Sequence, residues 1–236
     1  MYDLPSEEVG EPGLPDEYHP LQAQLLRLTF QPRTYPSEWV FSAMDMNIYY
    51  DENNTRRYKR PDWFGVVGVP RFYEGRELRK SYLIWQEGVS PFIVVELLSS
   101  STRAEDLGQT EAEPDGNPTK WQVYEEVLQV PYYVIYDGEQ DYFRVFHWED
   151  GCYQELELDG DRLGLVELGL GLRLWRGTHE GLERLWLRFE DASGELIPTE
   201  AERERQEKEQ AQTALQQLRD RLQAMGLDPD NLPNND

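Results

Sequence analysis

Two acids and one lysine are placed where they could do chemistry. Glu96 sits inside FIVVELL, an apolar run from Phe92 to Leu98 opened by Pro91 and closed by serines. Such a run reads as a buried strand. An ionised carboxylate there is costly unless a cation, a metal or several donors meet it. The candidates to meet it are Asp62, a metal ion and Lys120. Asp62 follows Pro61 at the mouth of a second apolar run, WFGVVGV, and Lys120 opens a helical stretch further on. If the two strands are neighbours, Asp62 and Glu96 meet at one end of a sheet. Two hard oxygen donors suit Mg²⁺ or Mn²⁺, which would bind a phosphate oxygen and acidify a water. The lysine would orient that water or offset charge growing on the phosphate.

Charge is distributed in keeping with an anionic substrate. The chain of 236 residues carries a net charge of −23, which by itself opposes non-specific phosphate binding. Residues 56–80 reverse the sign, with eight basic residues against three acidic ones, a local charge of +5. Arg56, Arg57, Lys59, Arg60, Arg79 and Lys80 are the candidate phosphate contacts in this island around Asp62. A solvated hairpin with the same charges is the plainer reading of the island.

The elements that must position these groups follow in order. Residues 1–19 hold six acids, no Lys or Arg, and several Pro and Gly, and are expected to be disordered. Residues 20–198 are expected to form the main domain. Residues 20–30 read as an amphipathic helix, 39–50 as a β segment with Asp45 half-exposed, and WFGVVGV, SYLIW and FIVVELL as strands. A polar loop covers 99–118. Thr119 to Leu128 reads as a helix with Trp121, Tyr124 and Leu128 on one face. YYVIYD, YFRVFHW and CYQELEL are three more strands, and the Leu- and Gly-rich stretch 160–198 supplies edge strands. This is an α/β pattern around a mixed sheet flanked by helices. Residues 199–236 form a helical tail, with Ala211, Leu215, Leu218, Leu222 and Met225 spaced as a short coiled-coil seam that could pair two copies.

The blocks PDWFGVV, SYLIW, FIVVELLSSST and KWQVYEEVLQVPYYVIYD resemble the Uma-two family of putative restriction endonucleases, abundant in cyanobacteria, within the PD-(D/E)XK nuclease superfamily. The resemblance covers roughly residues 39–158. It implies an αβββαβ core, DNA as substrate, and Asp62 and Glu96 as the metal-binding acids. The superfamily places a lysine two residues after the second acid, where this chain has Leu98; the family moves it to the next helix, at Lys120. Asp106 and Ser99–Thr102 also match family positions and read as loop-ordering groups.

Other signals are thin. His19, His147 and His179 lack metal-ligand spacing, and no phosphate-cradling glycine loop occurs. No apolar run is long enough for a membrane span, and the single Cys152 fits a reducing cytoplasm. The rival to a Mg²⁺-dependent endonuclease is a catalytically inactive protein on the same fold, acting through its helical tail.

Overall fold

A computed structural model describes residues 16–99, 101–110, 116–158 and 160–225. The chain divides into two units, Met1–Ile197 and Pro198–Asp236. The expected disordered segment falls, for residues 1–15, outside the described residues. Tyr18 and His19 already belong to the first helix.

In the first unit, α1 (Tyr18–Thr29) leads through a 3₁₀ turn (Ser37–Trp39) into β1 (Val40–Met44). Next come β2 (Ile48–Tyr49), β3 (Tyr58–Lys59), β4 (Trp63–Val67), β5 (Tyr82–Leu83) and the single turn α2 (Ile84–Glu87). Then β6 (Ile93–Leu97), α3 (Arg103–Asp106) and α4 (Lys120–Gln122) follow, α4 running on as a π-helical turn over Val123–Val127. The unit continues with β7 (Tyr132–Asp137), β8 (Tyr142–Glu149), β9 (Cys152–Glu155), β10 (Arg162–Leu165), a 3₁₀ turn (Val166–Leu168), β11 (Leu170–His179) and β12 (Leu182–Asp191).

Six strands form the central sheet in the order β1-β4-β6-β7-β8-β9. Only β6 and β7 run parallel in it, and the connection between them carries α3 and α4. The αβββαβ core is therefore α1, β1, β4, β6, α4 and β7. Strand β6 is buried at every position because both faces of the sheet are covered. Ile93, Val95 and Leu97 pack under α1 and the separate antiparallel sheet β10-β11-β12. Val94 and Leu98 pack on the opposite side with Phe64, Val66, Tyr124, Val123 and Tyr133.

Helix α1 is pinned across the chain by Gln22. Its buried amide donates to the Leu187 carbonyl at 2.7 Å and accepts from the Leu187 amide at 2.9 Å. Both polar ends of the side chain are thus satisfied, as a buried amide requires. The stretch 160–198 is more than an edge extension: β11 and β12 pair over ten residues each and roof one face of the core.

Three local expectations change. The β segment 39–50 breaks after Met44, because Asp45 takes a left-handed φ of 51° and turns the chain. SYLIW contributes only Tyr82 and Leu83 as strand; Ile84 and Trp85 open a helical turn ended by Gly88 at φ 71°. The loop 99–118 contains the turn α3, and residues 111–115 lie outside the described residues.

The second unit is α5 (Glu200–Ala224), started by a capping box in which Thr199 and Glu202 satisfy each other's backbone amides. None of its described residues is buried, and Leu215 and Leu218 are 52% and 55% exposed.

Gly65 in β4 is required by packing. A Cβ there would lie 2.7 Å from the Phe30 ring and 2.9 Å from the Trp63 ring. Gly65→Ala is expected to cost about 1–3 kcal/mol by overpacking, read as a lower urea midpoint with an unchanged slope.

Candidate active site

The two acids face each other because of strand parity and register. β4 and β6 pair antiparallel with Trp63 opposite Val95 and Phe64 opposite Val94. One step further along the same register sets Asp62 opposite Glu96. Side chains alternate between faces, so Glu96 projects with Val94 and Leu98, and Asp62 with Phe64 and Val66. The backbone locks the pair. Asp62 Oδ2 accepts from the Leu97 amide at 2.6 Å, and the Asp62 amide donates to Glu96 Oε2 at 3.4 Å. Asp45 supports this corner from behind: its amide donates to the Asp62 carbonyl at 3.1 Å.

The helix after the loop completes the site. Thr119 caps it, accepting from the Gln122 amide at 3.2 Å while Gln122 bonds back to the Thr119 amide at 3.0 Å. That fixes the first turn, and Lys120 stands in it. Lys120 Nζ donates to Glu96 Oε2 at 3.1 Å and to Asp106 Oδ1 at 2.7 Å. Four residues on, the Tyr124 hydroxyl donates to Glu96 Oε1 at 2.8 Å. Residues four apart share a helix face, so one helix holds both oxygens of Glu96. The turn is π-helical from Val123, with the Leu128 amide bonded to the Val123 carbonyl at 2.8 Å. A π turn re-aims side chains where it occurs and is frequent at functional sites.

Asp106 is the member that sequence reasoning assigned to loop ordering. The structure buries it completely against Lys120, and its second oxygen, Oδ2, has no hydrogen-bond partner among the described residues. Glu105 beside it accepts from the Lys120 amide at 3.0 Å and from Lys59 Nζ at 3.1 Å. Tyr124 was legible only as an apolar-face residue, although its spacing of four from Lys120 carried the signal.

The electrostatics are lopsided. Asp62, Glu96 and Asp106 surround one ammonium, so full ionisation leaves a charge of −2. Burial pushes the Glu96 carboxyl up to about 7, against the opposing pull of Lys120, with Asp106 adding to the rise. Burial and the facing Glu96 raise the half-buried Asp62 well above the carboxylate range. Burial works to lower the Lys120 ammonium, but Asp106, Glu96 and Asp62 together raise it well above its ordinary value. Asp62, Glu96 and Lys120 all move upward, burial driving the two acids and the surrounding carboxylates the ammonium.

This donor set fits a hard divalent cation. Asp62 and Glu96 offer carboxylate oxygens at one sheet end, and the surplus charge matches a cation of charge two. Among the described residues no three of His, Cys, Asp and Glu lie close enough together to enclose a metal. Water and substrate oxygens would supply the remaining positions, as is usual for Mg²⁺.

The basic island does not present six free cations. Arg57 pairs with Asp51 at 3.4 Å and Arg60 with Asp45 at 2.6 Å. Lys59 turns inward to Glu105. The Arg79 side chain is 3% exposed, forks onto Glu87 at 2.8 and 2.9 Å, and lies 4.5 Å from the Phe41 ring centre. The geometry gives Lys59 and Arg79 structural duties, while Arg56 and Lys80 are exposed. Asp45 is spent on Arg60 and the turn.

The Uma2 family, described as "putative restriction endonuclease", matches residues 1–176, and the chain belongs to it. No curated protein matches the chain. Among solved structures, a putative nuclease belonging to DUF820 from Anabaena variabilis ATCC 29413 aligns with a TM-score of 0.40 at 11% identity, over 69% of this chain and 78% of that one. No helix among the described residues is long and apolar enough to cross a membrane.

Two stability effects follow for metal-free protein. Lys120→Met strips the counter-charge from buried Glu96 and Asp106 and is expected to cost about 3–5 kcal/mol at pH 8. Glu96 has a folded value near 7 against an ordinary 4.5, so the fold prefers it protonated. Stability contributed by that preference is present below about 4.5 and is lost as pH rises toward about 7. Glu96→Gln, which cannot ionise, is expected to flatten this loss and to equal or exceed the native midpoint at pH 8 in urea titrations.

Proposed function

We propose that the protein is a metal-dependent DNA endonuclease that hydrolyses phosphodiester bonds. The observation that carries the reading is the clamped cluster Asp62–Glu96–Lys120, with more carboxylate than its lysine neutralises. Asp62 and Glu96 would hold Mg²⁺ or Mn²⁺, which when bound withdraws charge from a phosphate and acidifies water. Lys120 directs its ammonium into the same corner, where it can donate to an attacking water or to a phosphate oxygen as charge develops. Tyr124 fixes the rotamer of Glu96, and Asp106 holds Lys120 in reach. Membership of a family of putative restriction endonucleases supports the same reading. Pairing of two copies along α5 is part of the proposal, supported by the exposed, evenly spaced Leu215 and Leu218.

The inactive rival needs the cluster to be an inert core feature. An acid pair facing each other repels itself, and on the inactive reading the single Lys120 ammonium has to offset three carboxylates. The test is nicking of supercoiled plasmid with Mg²⁺ or Mn²⁺. Native protein is expected to nick. Asp62→Ala, Glu96→Ala and Lys120→Ala are each expected to lose at least about a hundredfold in rate while keeping native far-ultraviolet circular dichroism. Native protein that is inert with both metals at low salt and binds neither in a metal titration would defeat the reading.

A further inference from the structure

Strand β1 is an edge of the central sheet, and three adjoining hollows follow that edge. Arg71 lines all three. Arg27, in the last turn of α1, lines the one that reaches Met44. Trp39 and Phe72 line the one at the other end and are 46% and 42% exposed. Glu38 lines that end too.

The arginines here differ from those of the basic island. Neither Arg27 nor Arg71 makes an ion pair among the described residues, although acids outnumber bases 46 to 23 in the chain. The Arg71 guanidinium is held by stacking, 5.0 Å from the Phe72 ring centre and 6.0 Å from that of Phe41. Burial, with Arg27 and Arg79 close by, pulls its pKa below the usual arginine value. Arg79, itself a cation, takes up Glu87, and no acid pairs with Arg71 among the described residues. Unpaired guanidinium forks bind phosphate oxygens bidentately, and exposed aromatic faces accept bases of a nucleic acid.

The end of β1 lies beside the strand that Asp62 leads into. Met44, the last residue of β1, pairs with Trp63, and the next residue bonds to the Asp62 carbonyl. The five residues of β1 span about 16 Å, a length over which a strand leaving the cut phosphate would lie along the edge.

We infer that the β1-edge groove holds the DNA strand flanking the cut phosphate, with Arg27 and Arg71 as phosphate clamps and Trp39 and Phe72 as base platforms. The inference rests on the nuclease reading. It names a second, separate contact surface for that substrate.

The experiment measures binding of a fluorescein-labelled 30-base-pair duplex by anisotropy across a salt series, with full-length chain in a Glu96→Gln background so that no strand is cut. Arg27 is exposed, so Arg27→Gln should fold as the parent does. Each neutralised phosphate contact contributes about 0.9 to the slope of log affinity against log salt. Arg27→Gln is expected to lower that slope by about one, and Arg27→Gln with Arg71→Gln by about two, with affinity falling roughly tenfold or more at low salt. Arg71→Lys, which keeps the charge, should retain most of the slope.

Equal slopes in parent and double variant, at equal thermal midpoints, would overturn the groove. So would a result in which a synthetic peptide of residues 1–15 binds the native chain but not the double variant while DNA affinity is unchanged, because the occupant would then be the acidic segment. Plasmid nicking by native protein separates the two levels. Nicking with unchanged slopes sinks the groove alone, whereas no nicking and no metal binding sinks the nuclease reading beneath it.

Discussion

A surplus of buried negative charge sets the terms for the rest of this molecule. Three carboxylates converge on one ammonium at the end of β4 and β6. Each carboxylate carried away from water is costly, and one lysine offsets only part of that cost. Donors fixed in place offset more of it, though not all: the Leu97 amide on Asp62, the Tyr124 hydroxyl and Asp62 amide on Glu96. Such donors cost no reorganisation when charge moves during a reaction, which is what makes a preorganised site effective. A site left electrically incomplete by its own residues is one that a cation and an anionic substrate can complete.

The surrounding architecture holds that incompleteness rigidly. Both faces of β6 are packed, so the strand cannot shift to relieve Glu96. The layer β10-β11-β12 and α1 seal one face; the α4 turn, its cap and its π extension seal the other. On the strand itself the position two residues after Glu96 is Leu98, 6% exposed within the core beside Val94. The ammonium arrives instead from the facing helix, with Asp106 steadying it.

Much of this was legible in the sequence for simple reasons. An acid inside FIVVELL has to be met, and a Pro-Asp step at a strand mouth lies near the sheet end. Periodicity separated the strands from the helical stretch at Lys120. What stayed hidden depended on contacts between distant segments. Asp106 looked like loop polarity because its burial is created by Tyr133, whose hydroxyl donates to its carbonyl at 2.9 Å, and by Lys120. Tyr124 looked apolar because aromatic rings serve both roles. The pairing of the basic island was hidden from composition: opposite charges at Asp45, Asp51, Glu87 and Glu105 lie far enough along the chain to escape a window count, yet fold back onto it. The Leu- and Gly-rich stretch 160–198 gave a weak signal because its two long strands alternate imperfectly, and their pairing became clear only with the register of β11 on β12.

The surplus-charge reading is tested most directly by calorimetric titration of Mn²⁺ into the full-length chain at pH 8, beside Glu96→Gln. One bound ion per chain in native protein, abolished or weakened at least about tenfold in Glu96→Gln, is the predicted result. Absence of metal binding by native protein, or binding that Glu96→Gln leaves unchanged, would contradict it.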